Sequence, residues 1–238
     1  QINKATKILV ADSPPPYTMC EYNLNFIKEA KDKVVYVGHF TNSKKIEKQT
    51  ETDLEKLVKN NNFGYWMRTG NKSTNDGTGE RYEEVFHENE MNNEKRIISH
   101  ARNESSIDSV VGKDGKKYSI SDALEKKVDW IQIDIGFLSE QEKDTILDLC
   151  KYTVVNGSHT VMGEIMGGKS KPIIGIPIYD EHTNNIKWAE EKNLGVLAIK
   201  TKHVTKAISK IKENYDDFED NLKDFSKNFV PNGAENSA

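Results

Sequence analysis

Short apolar runs rich in Val, Ile and aromatic residues recur at residues 7–11, 34–37, 65–68, 96–99, 130–135, 153–156, 173–178 and 195–199, with polar stretches of helical spacing between most of them. Runs of this length with apolar residues at consecutive positions predict strands buried on both faces, as in a parallel sheet. Their alternation with helices predicts an α/β fold, a parallel sheet flanked by helices, without internal repeats. Over 205–229 the apolar residues Ile208, Ile211, Tyr215, Phe218, Leu222 and Phe225 follow one another at spacings of three and four. That spacing predicts one long amphipathic helix with a single buried stripe. Residues 112–117 form a polar turn, either a hairpin or a surface excursion, and 231–238 read as a frayed tail.

Length and charge narrow the function classes. The 238 residues suffice for one to two domains and a sizeable core. With 34 Lys and Arg against 38 Asp and Glu, the net charge is −4 and no broad basic field exists, which argues against nucleic acid as a partner. No apolar run approaches the roughly 20 residues that span a bilayer, and no signal peptide is evident. Cys20 and Cys150 stand far apart, outside any CxxC pair and away from His ligands, so neither zinc nor a disulfide framework is expected. A reducing, cytoplasmic location follows as an expectation.

The densest chemistry lies between Tyr152 and Gly195. An apolar strand opens into Asn156, Gly157, Ser158, His159 and Thr160. Gly157 and Ser158 suit a tight turn that lets a ligand approach the backbone, and Ser158 or Thr160 can cap a following helix whose N-terminus favours an anion. Glu164 falls one turn after Thr160 on the same helical face, where a carboxylate can accept hydrogen bonds from vicinal hydroxyls such as those of ribose. After a second buried strand, an acid–amide cluster over 180–185 brings Glu181, His182 and Asn185 to the same sheet edge, a set suited to sugar hydroxyls. The bland alternatives are a capping or packing role for His159, a solvated helix carboxylate at Glu164 and an ordinary polar loop over 180–185. Asp12 reads as a strand-end carboxylate shaping the turn of prolines that follows it, and His39 as a loop residue or a weak candidate base.

These residues resemble a known family. The run from Ser158 through His159, Thr160, Val161, Met162 and Gly163 to Glu164, the run Gly167, Gly168, Lys169, Ser170, Lys171 and Pro172, and then Pro177 with Glu181, His182, Thr183, Asn184 and Asn185 resemble the C-terminal nucleotide-sugar signature of GT-B glycosyltransferases. The nearest group is the one that includes the peptidoglycan N-acetylglucosaminyltransferase and the UDP-glucuronosyltransferase-like enzymes. The chain departs from that pattern at Ser158, where a second glycine is usual, at Lys169 and Ser170, which add a residue, and at His182, where Gln is common. Upstream, residues 130–138 are similar to the family's nucleobase-reading strand and loop, which implies Phe137 beside the base. The segment over 64–79 is similar to the first strand and phosphate loop, with Gly70 and Asn71 in that loop. Residues 7–16 and 34–40 resemble the last strands of an N-terminal acceptor domain.

The resemblance implies a Rossmann-like parallel sheet flanked by helices, the GT-B C-terminal domain, with a remnant of the N-terminal domain. Residues 1–40 are then the end of the acceptor domain and its linker, 41–200 the donor-binding domain, and 201–238 a C-terminal helix and tail that crosses back onto the N-terminal part. It implies Gly70, Asn71, Phe137, Gly157, Ser158, His159, Thr160, Glu164, Glu181, His182 and Asn185 as donor-binding residues. The implied activity is inverting, metal-independent transfer of a hexose-type sugar from a nucleotide sugar, UDP-linked by the family's habit, with no cofactor. The acceptor would be lipid-linked or a small molecule. The catalytic base belongs to the acceptor domain and is not named by this sequence. An acceptor subunit or a membrane-surface contact would act through the missing N-terminal part. Two other readings stay open: a non-catalytic nucleotide-sugar-binding subunit and a nucleotide-sugar 2-epimerase.

Overall fold

The computed structural model describes residues 4–24, 32–41, 50–68, 93–100 and 108–238. Two strands, β1 (Ile8–Val10) and β2 (Val34–Tyr36), pair in parallel as a small separate sheet. The main sheet has eight strands: β3 (Gly64–Met67), β4 (Arg96–Ser99), β5 (Ser109–Gly112), β6 (Lys117–Tyr118), β7 (Trp130–Ile135), β8 (Tyr152–Val155), β9 (Ile173–Gly175) and β10 (Gly195–Leu197). Their spatial order is β10-β9-β8-β3-β4-β7-β5-β6. From β10 to β7 every neighbouring pair is parallel, and the hairpin β5–β6 adds antiparallel to β7. The fold is thus the expected Rossmann-like α/β sheet, and each of the eight expected strands is present within a few residues of its expected bounds. Residues 112–117 resolve as the hairpin turn.

The helices are α1 (Asp53–Val58), α2 (Ile120–Glu125), α3 (Glu140–Leu149), α4 (His159–Met162), α5 (Asp180–Glu191), α6 (Thr201–Glu213), α7 (Tyr215–Asn228) and α8 (Gly233–Asn236). Capping boxes start α1 (Thr52 with Glu55) and α3 (Ser139 with Glu142), satisfying amides that a helix start leaves without partners. Glu55 also accepts hydrogen bonds from Thr145 (2.5 Å) and Gln141 (2.8 Å), which fastens α1 to α3. The core holds Trp66, Trp130, Trp188, Tyr65 and Tyr152, each almost wholly removed from water.

Three sequence expectations change. The single helix over 205–229 is two helices that meet at Asn214, whose backbone leaves the helical region (φ −123°, ψ 32°). The stripe still buries Ile208, Ile211, Phe218, Leu222 and Phe225. Residues 180–185 are not a loop but the opening of α5. The tail is not frayed: His39 N–H donates to the Val230 carbonyl (2.7 Å), Val230 N–H to Ser13 Oγ (3.1 Å) and Gly233 N–H to the His39 carbonyl (2.9 Å). The chain's last segment is therefore tied to its first.

Candidate functional site

The parallel strands in chain order β3, β4, β7, β8, β9, β10 occupy the sheet as β7-β4-β3-β8-β9-β10. Connections leave β3 toward β4 on one side and β8 toward β9 on the other. The crevice beyond the carboxyl ends of β3 and β8 is where a doubly wound sheet binds ligands.

At the end of β8 the backbone turns sharply. Gly157 has φ +90°, and a Cβ there would lie 2.5 Å from Ile186 Cδ1 and 3.0 Å from the His182 carbonyl, so only glycine fits. Asn156 is buried and its Oδ1 accepts the Ser158 N–H (3.0 Å), while Asn185, wholly buried, donates to the Gly157 carbonyl (3.1 Å). Asn185 also accepts from Asn23 (2.8 Å), so the turn is braced from α5 and from the N-terminal segment. Ser158 is the N-cap residue of α4, but its side chain makes no capping bond, contrary to the sequence expectation, and no side chain caps this start. The first-turn amides, including those of His159 and Thr160, have no intrahelical acceptor by the geometry of a helix. α4 passes directly into a π-helical stretch, Gly163–Gly168, a distortion that is often found at functional sites.

Glu164, on that stretch, is partly exposed, and both its carboxylate oxygens lie 2.7 Å from Lys143 Nζ of α3. Glu181 is exposed in the first turn of α5. His182 is buried, its Nδ1 has no hydrogen-bond partner among the described residues, and Tyr179 meets its ring edge-on at 5.2 Å. Burial pushes the His182 imidazole below its usual range, with Glu181 opposing. Phe137 is 64% exposed just past β7. Gly70 and Asn71 lie outside the described residues. Gly157, Ser158, His159, Thr160, Glu164, Glu181 and His182 thus gather around the ends of β8 and β9, Asn185 supports them from beneath, and Phe137 stands at the end of β7.

Two clusters escaped the sequence reading. Asp12, wholly buried, accepts hydrogen bonds from Ser13 N (2.7 Å), Cys20 N (2.9 Å), His39 Nε2 (3.0 Å) and His159 Nε2 (3.0 Å). The His39 ring stacks between His159 (5.0 Å) and Phe229 (4.3 Å). Burial alone would raise the Asp12 carboxyl, but the two imidazoles outweigh it and hold the group well below the usual carboxylate range. The second cluster joins strand ends: Arg68 Nη1 lies 3.4 Å from His100 Nδ1, and His100 Nε2 lies 3.0 Å from Asp134 Oδ1. Arg68 Nε is buried without a partner among the described residues. The available signal was positional, since Asp12 comes two residues after β1 and His39 three after β2, while Arg68 and His100 each directly follow one of two neighbouring parallel strands.

No protein-family model matches the chain, and no curated protein does. Solved structures match well. The glycosyltransferase of kitacinnamycin aligns with a TM-score of 0.59 at 10% identity, over 95% of this chain and 51% of that one. Os79 from O. sativa, in complex with U2F and trichothecene, aligns with a TM-score of 0.62 at 14% identity, over 95% of this chain and 50% of that one. The fold is that of solved glycosyltransferases. Os79 in complex with UDP gives a TM-score of 0.53 at 16% identity, over 76% of this chain and 39% of that one. The chain spans about half the length of the kitacinnamycin glycosyltransferase and of Os79. No described helix is long and apolar enough to cross a membrane.

Proposed function

We propose that the chain is the donor-binding half of an inverting glycosyltransferase that takes a hexose-type sugar from a UDP-linked donor without needing a metal ion for the transfer. The observation that carries this is the glycine-only turn at Gly157, which leads into an uncapped helix start at the switch point of the sheet. Amides at such a start can neutralise a diphosphate, and that is the charge which grows as the sugar leaves. The structural likeness supports the choice of donor, since Os79 was solved with UDP and with U2F and trichothecene.

In this reading the amides of His159 and Thr160 and the hydroxyl of Ser158, with Gly157 and the loop of Gly70 and Asn71, hold the diphosphate. Glu164 accepts from the ribose hydroxyls, Glu181 and His182 face the sugar, Asn185 keeps the turn in shape, and Phe137 flanks the base. The acceptor oxygen attacks the anomeric carbon as the bond to the diphosphate breaks, and a base on the acceptor side takes the hydroxyl proton. Residues 1–40 are the end of the acceptor part, 41–200 the donor domain and 201–238 the returning C-terminal segment. The acceptor is a lipid-linked sugar or a small molecule.

A non-catalytic donor subunit that works with a separate acceptor subunit is a second reading. It is favoured by Leu9 and Val35, register partners across β1 and β2 that are 51% and 39% exposed. The test is a calorimetry and thermal-shift panel of UDP, GDP, dTDP and their sugar conjugates. Saturation at about 100 times Kd adds roughly 2.7 kcal/mol, enough to move the melting temperature by several degrees. A shift confined to UDP compounds supports the reading, and no shift with any nucleotide overturns it. Sugar release to water or an added acceptor separates the enzyme from the subunit.

A further inference from the structure

The buried carboxylate of Asp12 gathers more than hydrogen bonds around it. Its Oδ2 lies 3.0 Å from His159 Nε2, and the Cys20 main-chain N–H reaches the same oxygen at 2.9 Å. One ligand atom each from Asp12, Cys20 and His159 lies within 4.8 Å of the other two. These residues come from three separate places: the end of β1, the turn before residue 21, and the start of α4. We propose that Asp12, Cys20 and His159 form a binding site for a zinc-like divalent transition-metal ion, which clamps the N-terminal segment to the first turn of α4.

The donor set carries the choice of ion. One carboxylate oxygen, one thiolate sulfur and one imidazole nitrogen suit a borderline-soft cation, whereas calcium and magnesium take all-oxygen shells. Bonds of about 2.0 to 2.3 Å in a tetrahedral arrangement set neighbouring ligand atoms roughly 3.3 to 3.8 Å apart. Asp12 Oδ2 and His159 Nε2 at 3.0 Å fall just below that range, and no pair of the three ligand atoms is more than 4.8 Å apart. The support behind the ligands is already built. The other oxygen of Asp12, Oδ1, accepts from Ser13 N–H (2.7 Å) and His39 Nε2 (3.0 Å), so Oδ2 is the oxygen left to coordinate. Outer-shell bonds of that kind fix a ligand's orientation. Asp12 has no exposure, while His159 keeps a side-chain exposure of 20% and Cys20 is half-buried, which leaves an entry path for the ion and a fourth position for water. On binding, the metal takes the place of the proton on His159 Nε2 and of the Cys20 thiol proton. The site stands whether or not the chain binds a nucleotide sugar.

The test is cobalt(II) uptake by the untagged, reduced chain, followed by competition with zinc. Expected are one equivalent bound, a near-ultraviolet thiolate-to-cobalt band, and the intense visible bands of four-coordinate cobalt, all displaced by zinc. Cys20→Ser, a near-isosteric change, should remove the near-ultraviolet band, and Cys150→Ser should leave it intact. His39→Gln should weaken zinc binding by roughly 10- to 100-fold, the range found for outer-shell partners, and His159→Gln, which removes a direct ligand, should weaken it more. Absence of the thiolate band in the wild-type chain overturns the proposal without reference to any variant. So does a band that survives Cys20→Ser, or zinc affinity that His159→Gln leaves unchanged. Circular dichroism of each metal-free variant separates loss of the site from loss of the fold.

Discussion

Lys143 Nζ sits 2.7 Å from each carboxylate oxygen of Glu164, so the acid proposed to meet ribose is tethered to the neighbouring helix α3. Both side chains are about one-third exposed, and a pair in that setting contributes at most about 1 kcal/mol to stability. Glu164→Ala should therefore leave the urea midpoint nearly unchanged while weakening nucleotide-sugar binding in calorimetry. Lys143→Met should do the same to a smaller degree, by untethering the acid. Wild-type affinity in Glu164→Ala would remove that residue from the site.

Gly157→Ala should be costly to the fold itself. The new Cβ would meet Ile186 at 2.5 Å in a backbone conformation that disfavours any side chain. Overpacking costs about 1 to 3 kcal/mol and the left-handed backbone about 1 to 2 more. A drop in unfolding free energy of about 2 to 5 kcal/mol is expected from urea titration. A Gly168→Ala control, where nothing lies within 4 Å of the added carbon, should stay near wild type.

His182 gives the stability a pH dependence of known sign. Its folded-state pKa is pushed down by burial, so as pH falls past about 6.5 the unfolded chain takes up the proton first. The stabilising contribution is complete above about pH 6.5 and is lost as pH falls toward the folded-state value. Unfolding midpoints measured from about pH 7.5 to 5.5 should fall for the wild-type chain and fall less for His182→Gln. Parallel slopes in the two proteins would show that another group sets the dependence.

Arg68 directly follows β3 beside the crevice with a buried Nε that no described residue satisfies, and its Nη1 lies 3.4 Å from His100 Nδ1. If UDP binds there, Arg68→Gln should reduce its affinity by about 1.5 to 3 kcal/mol, the range for hydrogen bonds to charged groups. Uridine, which lacks phosphate, should bind both proteins equally. Equal losses for UDP and uridine would assign Arg68 to the fold rather than to the diphosphate.

Much of the sheet was legible along the chain because strands buried on both faces leave consecutive apolar residues, as in residues 65–67 and 173–175. The turn at Gly157 was legible because a tight backbone reversal after a strand selects glycine. The break at Asn214 was not, because the apolar spacing runs unbroken across it. The acid–amide cluster over 180–185 reads as a loop by composition, yet it folds as helix because Ile186, Trp188 and Ala189 carry the helical core face just beyond it.

The sequence by itself determined the alternation of strand and helix, the glycine turn and the helix that follows, because each depends on neighbours a few residues away. Only the tertiary structure decided that His159 reaches Asp12 across 147 positions, that Asn185 braces Gly157 and that the C-terminal segment returns to His39. Such contacts depend on the sheet's strand order and on chain closure over long loops. No local pattern encodes which two distant side chains that order will bring within hydrogen-bonding distance.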